Sequence, residues 1–515
     1  MTDNGLLAYI EHGGQGGIGI ARTADLLRRY AYVEQSCVRA LAGWFVAHPD
    51  WEVKLRLGHY LYGHAEFVHA LRERLGDMRG GNRHAALEPE LKRLGEALAH
   101  APGGDAFVAG MKLLTELLTS MYREHIAAAD PAANAPELRL LRRRLPELEE
   151  QLEELGRLGR SRSRRPGDAA QARSEAEDAA RGDGSQAQSE AVDTARGEGL
   201  LARSGSTGQA PESALGTGVE LAKPEQGGAE AAQWCAYLDG ICEAAGGIGG
   251  LQVRRSQTES PKGAARSADS GPEGTPLATA QSATSQSAVT RPANARLEWP
   301  LPMQFDERLQ HADLGTYESK MNLPLRERAI GEFEVYFNEF YAAALLATVI
   351  YDSWEMNMPR AYDLEIAHHF WDEVRHAEFG AIRLRELGVE PSRINMSLFE
   401  QARTMPIVHR LCYLALGLEV FFMPRKSERA RYYEQQGDGR SQLFSDVDWS
   451  EEINHVNYGK RWVNHMLEDD ARTVQDIQEE VQVYLKKASA AGTDQTLQTG
   501  QHAQTEDSGG RLAPW

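Results

Sequence analysis

From about residue 23 to 158, apolar side chains recur at spacings of three and four, the period of helices that bury one face. Proline and glycine fall mostly in short breaks, at His48-Pro49-Asp50 and at Ala101-Pro102-Gly103-Gly104, which divide the block into several helices. Near residue 159 the pattern stops. As far as about residue 291 the chain consists of Gly, Ala, Ser, Gln, Glu and Arg with almost no aromatics, too little apolar surface to offset the entropy of ordering it. Residues 171–184 (QARSEAEDAARGDG) return imperfectly as residues 186–199 (QAQSEAVDTARGEG), a tandem duplication of polar sequence rather than a structural repeat. One island, residues 232–251, interrupts this stretch. Its Trp234, Tyr237, Leu238 and Ile241 keep helical spacing and predict a short helix over 232–246 that docks on a folded block. Helical patterning resumes after Pro300 and runs to about Leu485. The expected fold is all-α, with helical blocks over 20–158 and 295–487, a disordered linker over 159–291 and a disordered tail over 488–515.

Composition narrows the function. Among 515 residues, 75 acidic against 56 basic side chains leave a formal charge of −19, which argues against a general binder of nucleic acid or anionic membrane. The basic runs at 142–144 and 160–165 border the low-complexity middle and read as solvated flanks. Cys37, Cys235, Cys242 and Cys412 form no C-x-x-C pair, which fits a reducing compartment. Residues 1–19 are polar and Gly-rich without the apolar run of a secretory leader, and no stretch reaches the roughly 18 uninterrupted apolar residues of a span. The expected localisation is cytoplasmic, with no membrane and no nucleic acid as partner.

Chemistry concentrates in the C-terminal block. Residues three apart on a helix share one face, so the carboxylate and imidazole of Glu-x-x-His can converge on one metal ion. The chain holds four such pairs: Glu66/His69, Glu365/His368, Glu373/His376 and Glu452/His455. Their order matters more than their number. Glu373 and His376 lie on a strong helix over 362–387. A helix over 332–351 upstream carries Glu339, with Glu334 as a substitute. Downstream, the almost wholly apolar stretch 411–422 holds a single carboxylate, Glu419, and Glu452/His455 follows. A charge in so apolar a helix is expensive unless paired or metal-bound. Glu, Glu-x-x-His, Glu, Glu-x-x-His is the order in which a four-helix di-metal site takes its ligands. Glu365/His368 lies roughly 80° round the helix from Glu373/His376 and reads as surface or a supporting position.

The run DEVRHAEFGAIRLRELG, residues 372–388, resembles the second helix of an uncharacterised bacterial ferritin-like family filed as a domain of unknown function. EEINHVNYGKRW, residues 451–462, with Gly437-Asp438 before it, resembles that family's last helix. The resemblance implies a ferritin-like four-helix bundle, with metal ligands at Glu373, His376, Glu452 and His455 and, alongside them, Glu339 and Glu419.

The N-terminal block reads as a degenerate copy of this bundle. His64-Ala65-Glu66-Phe67 precedes Leu75-Gly76 as His376-Ala377-Glu378-Phe379 precedes Leu387-Gly388, in the same register. Glu34 then matches Glu339, and Ala42 falls on Ala347. Glu116 is matched to Glu419, and the helix over 138–155 is the fourth. Leu61, Leu148 and Gln151 stand where ligands should be, and leucine cannot bind a hard or borderline cation.

Carboxylates with two imidazoles suit iron or manganese better than zinc or copper. The expected function is therefore a non-haem oxidoreductase in which two iron ions (or Fe/Mn) reduce dioxygen and oxidise a small organic substrate. A ferroxidase or iron-handling protein, and an interaction bundle with a stabilising metal site, are the alternatives.

Overall fold

The computed structural model describes residues 17–78, 87–163, 229–248, 299, 301–356 and 358–498, and the fold is all-α. Most of the linker expected over 159–291, with its duplication, lies outside these residues, as do residues 499–515.

Five helices make the N-terminal block: α1 (Ile20–Ala47), α2 (Trp51–Asp77), α3 (Pro89–Leu98), α4 (Gly104–Ala128) and α5 (Ala135–Ser163). Their ends follow the local chemistry. Asp50 Oδ1 accepts the amides of Glu52 and Val53 at 2.9 and 3.2 Å, capping α2, and Pro89 opens α3, where a missing N–H costs nothing. Helix α6 (Ala229–Ala244) packs on α3 and α4. Its Trp234 is fully buried, and the guanidinium of Arg29 in α1 donates to the carbonyls of Ala245, Gly247 and Ile248.

The C-terminal block holds α7 (Leu325–Phe337), α8 (Phe340–Asp352), α9 (Arg360–Glu386), α10 (Glu419–Gln436), α11 (Gly439–Met466) and α12 (Val474–Gln498). Three expectations need correction. The single helix expected over 332–351 is two, α7 and α8, because the amides of Glu339, Tyr341 and Ala342 reach back only three residues and tighten the turn between them. The apolar helix over 411–422 is wound as a π-helix from Cys412 to Leu418 before α10 begins at Glu419. The folded block does not end at 487, since α12 continues to Gln498. Between α10 and α11, Gly437 adopts φ 70°, the left-handed conformation that stops a helix, and Asp438 accepts the amide of Ser441 to start the next. That is the structural use of the Gly-Asp pair.

The two blocks share an apolar layer. Helix α1 lies on α8 and α2 on α9. Phe45 meets Phe340 and Phe370 at centroid distances of 6.0 and 5.0 Å, and Trp51 meets Phe337 at 5.2 Å. Each such fully buried side chain contributes roughly 1.5–3 kcal/mol toward holding the blocks together. The extended segment after residue 301 adds a strap: Gln304 and Asp306 donate to the carbonyls of Val46 and Pro49, and β1 (Gln310–His311) pairs in parallel with β2 (Arg393–Ile394). Two helical stretches, Leu325–Asp352 and Ile407–Gln436, are long and apolar enough to cross a bilayer, but 83 % and 67 % of their apolar windows is buried inside the fold. They are core helices, and they carry Glu339 and Glu419.

Candidate metal centre

Two glycines let the site helices approach. A methyl group on Gly380 of α9 would lie 2.1 Å from the Phe337 amide nitrogen, so only glycine allows α9 to meet the chain where α7 gives way to Glu339. A methyl group on Gly459 of α11 would lie 2.4 Å from Cβ of Ala415, in the π-helix that leads to Glu419. Each glycine stands four residues beyond a site histidine, His376 or His455.

Between these helices the structure brings Glu339, Glu373, His376, Glu419, Glu452 and His455 together, all buried. His376 Nδ1 lies 3.3 Å from Glu339 Oε2 and 3.8 Å from Glu373 Oε2. His455 Nδ1 lies 3.2 Å from Glu373 Oε1, 3.7 Å from Glu452 Oε1 and 4.0 Å from Glu419 Oε1. Glu373 thus presents one oxygen to each histidine. Glu334 turns away from the cluster to pair with Arg393 at 2.7 Å. Glu365 accepts Trp462 Nε1 at 2.9 Å, and His368 lies 3.2 Å from the Tyr458 hydroxyl, both outside the cluster.

Sequence reasoning missed three members. His369 Nε2 lies 2.7 Å from Glu419 Oε1, its ring stacked on that of His455 at 3.9 Å. Asp448 and Lys426 are buried at the other end: Lys426 Nζ donates to Asp448 Oδ1 and Glu452 Oε1, each at 2.6 Å, and to Glu339 Oε1 at 3.4 Å. A signal existed for all three. His369 is four residues before Glu373, Asp448 four before Glu452 and Lys426 seven after Glu419, each on the face of a predicted ligand.

The cluster is short of hydrogen bonds. Glu339 Oε2, Glu373 Oε1, His376 Nδ1, Glu419 Oε2, Glu452 Oε2 and His455 Nδ1 are all buried and none makes one. An unsatisfied buried polar atom costs about 1–3 kcal/mol, so six in one place call for a common partner. A cation supplies one: His369, Glu373, Glu419 and His455 each offer one atom within 4.8 Å of the rest, as do Glu339, Glu373 and His376, and these buried groups could hold metal. The far nitrogens of two histidines are already held, His376 Nε2 by Glu451 Oε2 at 3.0 Å and His455 Nε2 by Asp372 Oδ2 at 3.1 Å. That fixes each ring with Nδ1 inward, the arrangement that orients imidazole ligands.

The charges are tightly coupled. Burial alone would raise the pKa of Glu373 and Glu452, but His376 and His455 beside the first, and Lys426 and His455 beside the second, outweigh it and hold both at about 2. For Glu339 and Glu419 burial wins, and both are raised. Burial would lower His376 and His455, yet Asp448 and Glu339 around the first and Asp372 and Glu373 around the second lift them well above the usual range.

In the N-terminal block the matching positions are tied to one another. Glu34 is buried against His64 Nδ1, accepts the Tyr122 hydroxyl at 2.7 Å, and pairs with Arg144 at 3.3 Å. Gln151 Nε2 lies 3.2 Å from both His64 Nε2 and Thr115 Oγ1. Leu61 and Leu148 are buried, and Glu66 pairs with Arg143 at the surface. The matching of Glu116 to Glu419 needs correction: Glu116 faces outward toward Lys112, and Thr115, one residue earlier, turns inward. A one-residue step rotates a helix position by roughly 100°, enough to exchange inside for outside.

Residues 281–498, the stretch that holds both Glu-x-x-His motifs of the centre, match the family described as "Protein of unknown function (DUF455)". No curated protein and no solved structure matches the chain.

Proposed function

We propose that the C-terminal block is a ferritin-like four-helix bundle, formed by α7–α8, α9, the π-helix with α10, and α11, and that it holds two iron ions as a dioxygen-dependent oxidoreductase. The six polar atoms without a hydrogen bond around Glu373 carry this reading, because they gather in one buried place where a cation would satisfy them together. Glu339, Glu373 and His376 would hold one ion and His369, Glu373, Glu419 and His455 the other, with Glu452 a further donor. Iron held there would supply electrons to dioxygen, and carboxylates, hard and anionic, favour iron or manganese.

The chain's own residues do the rest. Asp372 and Glu451 keep the imidazoles oriented, and Arg375 ties those two carboxylates together at 2.9 and 2.7 Å. The π-helix against Glu419 favours an enzyme over a passive bundle, since a widened turn is a costly local geometry found chiefly at functional sites. The N-terminal block is read as a copy whose ion pair, Glu34 with Arg144, has replaced the metal.

The test is anaerobic loading of the full chain with Fe(II), followed by dioxygen and a reductant. Uptake that continues past oxidation of the bound iron supports the oxidoreductase. Uptake that stops there favours a ferroxidase, and a folded protein that retains no iron excludes both.

A further inference from the structure

Lys426 is out of place in a cluster built to attract cations. It is buried on α10, two turns beyond Glu419, and its three ammonium hydrogens are matched by Asp448 Oδ1, Glu452 Oε1 and Glu339 Oε1. Two of those carboxylates are the ones a second ion would need. A carboxylate bridges two ions through both of its oxygens, and Glu452 has one of them already bound to Lys426 at 2.6 Å. Glu373 carries no such tie, with one oxygen directed at His376 and the other at His455.

The other end of the cluster differs in the opposite sense. There His369 joins Glu373, Glu419 and His455, so four side chains offer atoms within 4.8 Å of one another, two of them imidazoles. At the Lys426 end the groups are of three, Glu339, Glu373 and His376 or His376, Asp448 and Glu452, each with one imidazole, and the ammonium of Lys426 stands on Glu339, Asp448 and Glu452. Like charges at such separations repel strongly in a buried site.

We infer that Lys426 is a resident cation that makes the two metal seats unequal: the seat of His369, Glu373, Glu419 and His455 fills first and tightly, and the seat of Glu339, Glu373 and His376 fills only against the lysine. This rests on the metal-binding part of the proposed function, and not on its chemistry with dioxygen. It gives the centre a one-ion state at low metal concentration, and a second ion whose entry requires Lys426 to release Glu452. Lys426 acts through the carboxylates and is a positioning residue rather than a ligand.

The experiment is titration of the metal-free full-length protein with Mn(II), counting free ion by electron paramagnetic resonance, with folding checked by circular dichroism. Wild type is expected to bind in two separated steps. Lys426→Met, which keeps the aliphatic stem and removes the charge, is expected to tighten the second step by roughly tenfold or more, each tenfold being one unit on the binding scale. Lys426→Gln serves if the methionine variant does not fold. In the wild-type background Glu339→Gln should remove the weak step alone, whereas His369→Gln should weaken the tight one. Two equal steps in wild type, an unchanged or weaker second step in both Lys426 variants, or loss of the tight step in Glu339→Gln would overturn the inference while leaving the metal centre standing. Absence of Mn(II) and Fe(II) binding in every folded protein would instead remove the metal centre itself, and this inference with it.

Discussion

The carboxylate of Asp372 faces Nε2 of His455 at 3.1 Å, across 83 residues of chain. Its counterpart is Glu451, 3.0 Å from Nε2 of His376. Each acidic residue immediately precedes the glutamate of one Glu-x-x-His motif and orients the histidine of the other, so α9 and α11 are locked in register by a crossed pair. Removing such a partner typically lowers metal affinity about 10–100-fold. Asp372→Ala should therefore weaken the ion at His455 and Glu451→Ala the ion at His376, each with the helical content retained. Metal titrations of both variants check this, and an effect confined to the histidine of the same motif would refute the crossing.

Glu373→Ala or His455→Ala should abolish metal binding, while Glu34→Ala or His64→Ala should leave the metal content of folded protein unchanged. Glu373 serves both histidines and Nδ1 of His455 meets three carboxylates, whereas Glu34 and His64 are occupied by Arg144, Tyr122 and Gln151. Emission analysis of metal per folded chain separates the groups. Equal loss from all four would mean that both blocks are loaded.

How far the sequence carries this reading depends on which contacts are local. Helical spacing identified the helical blocks, because burying one face of a helix leaves a period in the sequence. The order of Glu339, Glu373/His376, Glu419 and Glu452/His455 pointed to residues that the fold gathers in one place. Lys426 and Asp448 escaped notice because a buried lysine–carboxylate pair looks, in sequence, like two solvated charges. The layer of Phe45, Trp51, Phe340 and Phe370 was equally hidden, since an apolar face records that it is buried and not what buries it. The misplacement of Glu116 has a simpler cause: with no second motif nearby, nothing fixed the rotation of α4.

Gly380→Ala should destabilise the C-terminal block by about 1–3 kcal/mol or more, as overpacking against backbone does. The added methyl would meet the Phe337 amide at 2.1 Å and its Cα at 2.5 Å, and backbone cannot swing aside as a side chain can. Because Phe337 leads into Glu339, the same substitution should also weaken the seat that contains Glu339. Thermal unfolding with a parallel metal titration tests both effects. A stable variant with unchanged metal binding would show that α9 does not approach α7 so closely.

Acid should undo the N-terminal ion pair before the pair can be replaced by water. Burial would raise the carboxyl of Glu34, but Arg144 and His64 overcome it and hold it at about 2, against 4.5 for an ordinary glutamate. A folded-state pKa below the unfolded one means that the unfolded chain takes up the proton first. The stabilisation is therefore complete above pH 4.5 and is lost as pH falls toward 2. At full strength the shift corresponds to something on the order of 3 kcal/mol. His125, whose pKa burial and the nearby Arg22 lower to about 4, pulls in the same direction at higher pH, between 6.5 and 4. Glu34→Gln removes the first contribution, because glutamine has no proton to gain, and leaves His125 as it was. His64 loses the carboxylate that opposes the lowering of its pKa by burial, so the comparison is made below the ordinary histidine range. The stability difference between wild type and Glu34→Gln should shrink steadily as pH falls below about 4.5. Denaturant unfolding at a series of pH values measures that difference directly. A gap that stayed the same size well below pH 4.5 would show that Glu34 is not held ionised by Arg144, and the idea that an ion pair replaced a metal in this block would fall with it.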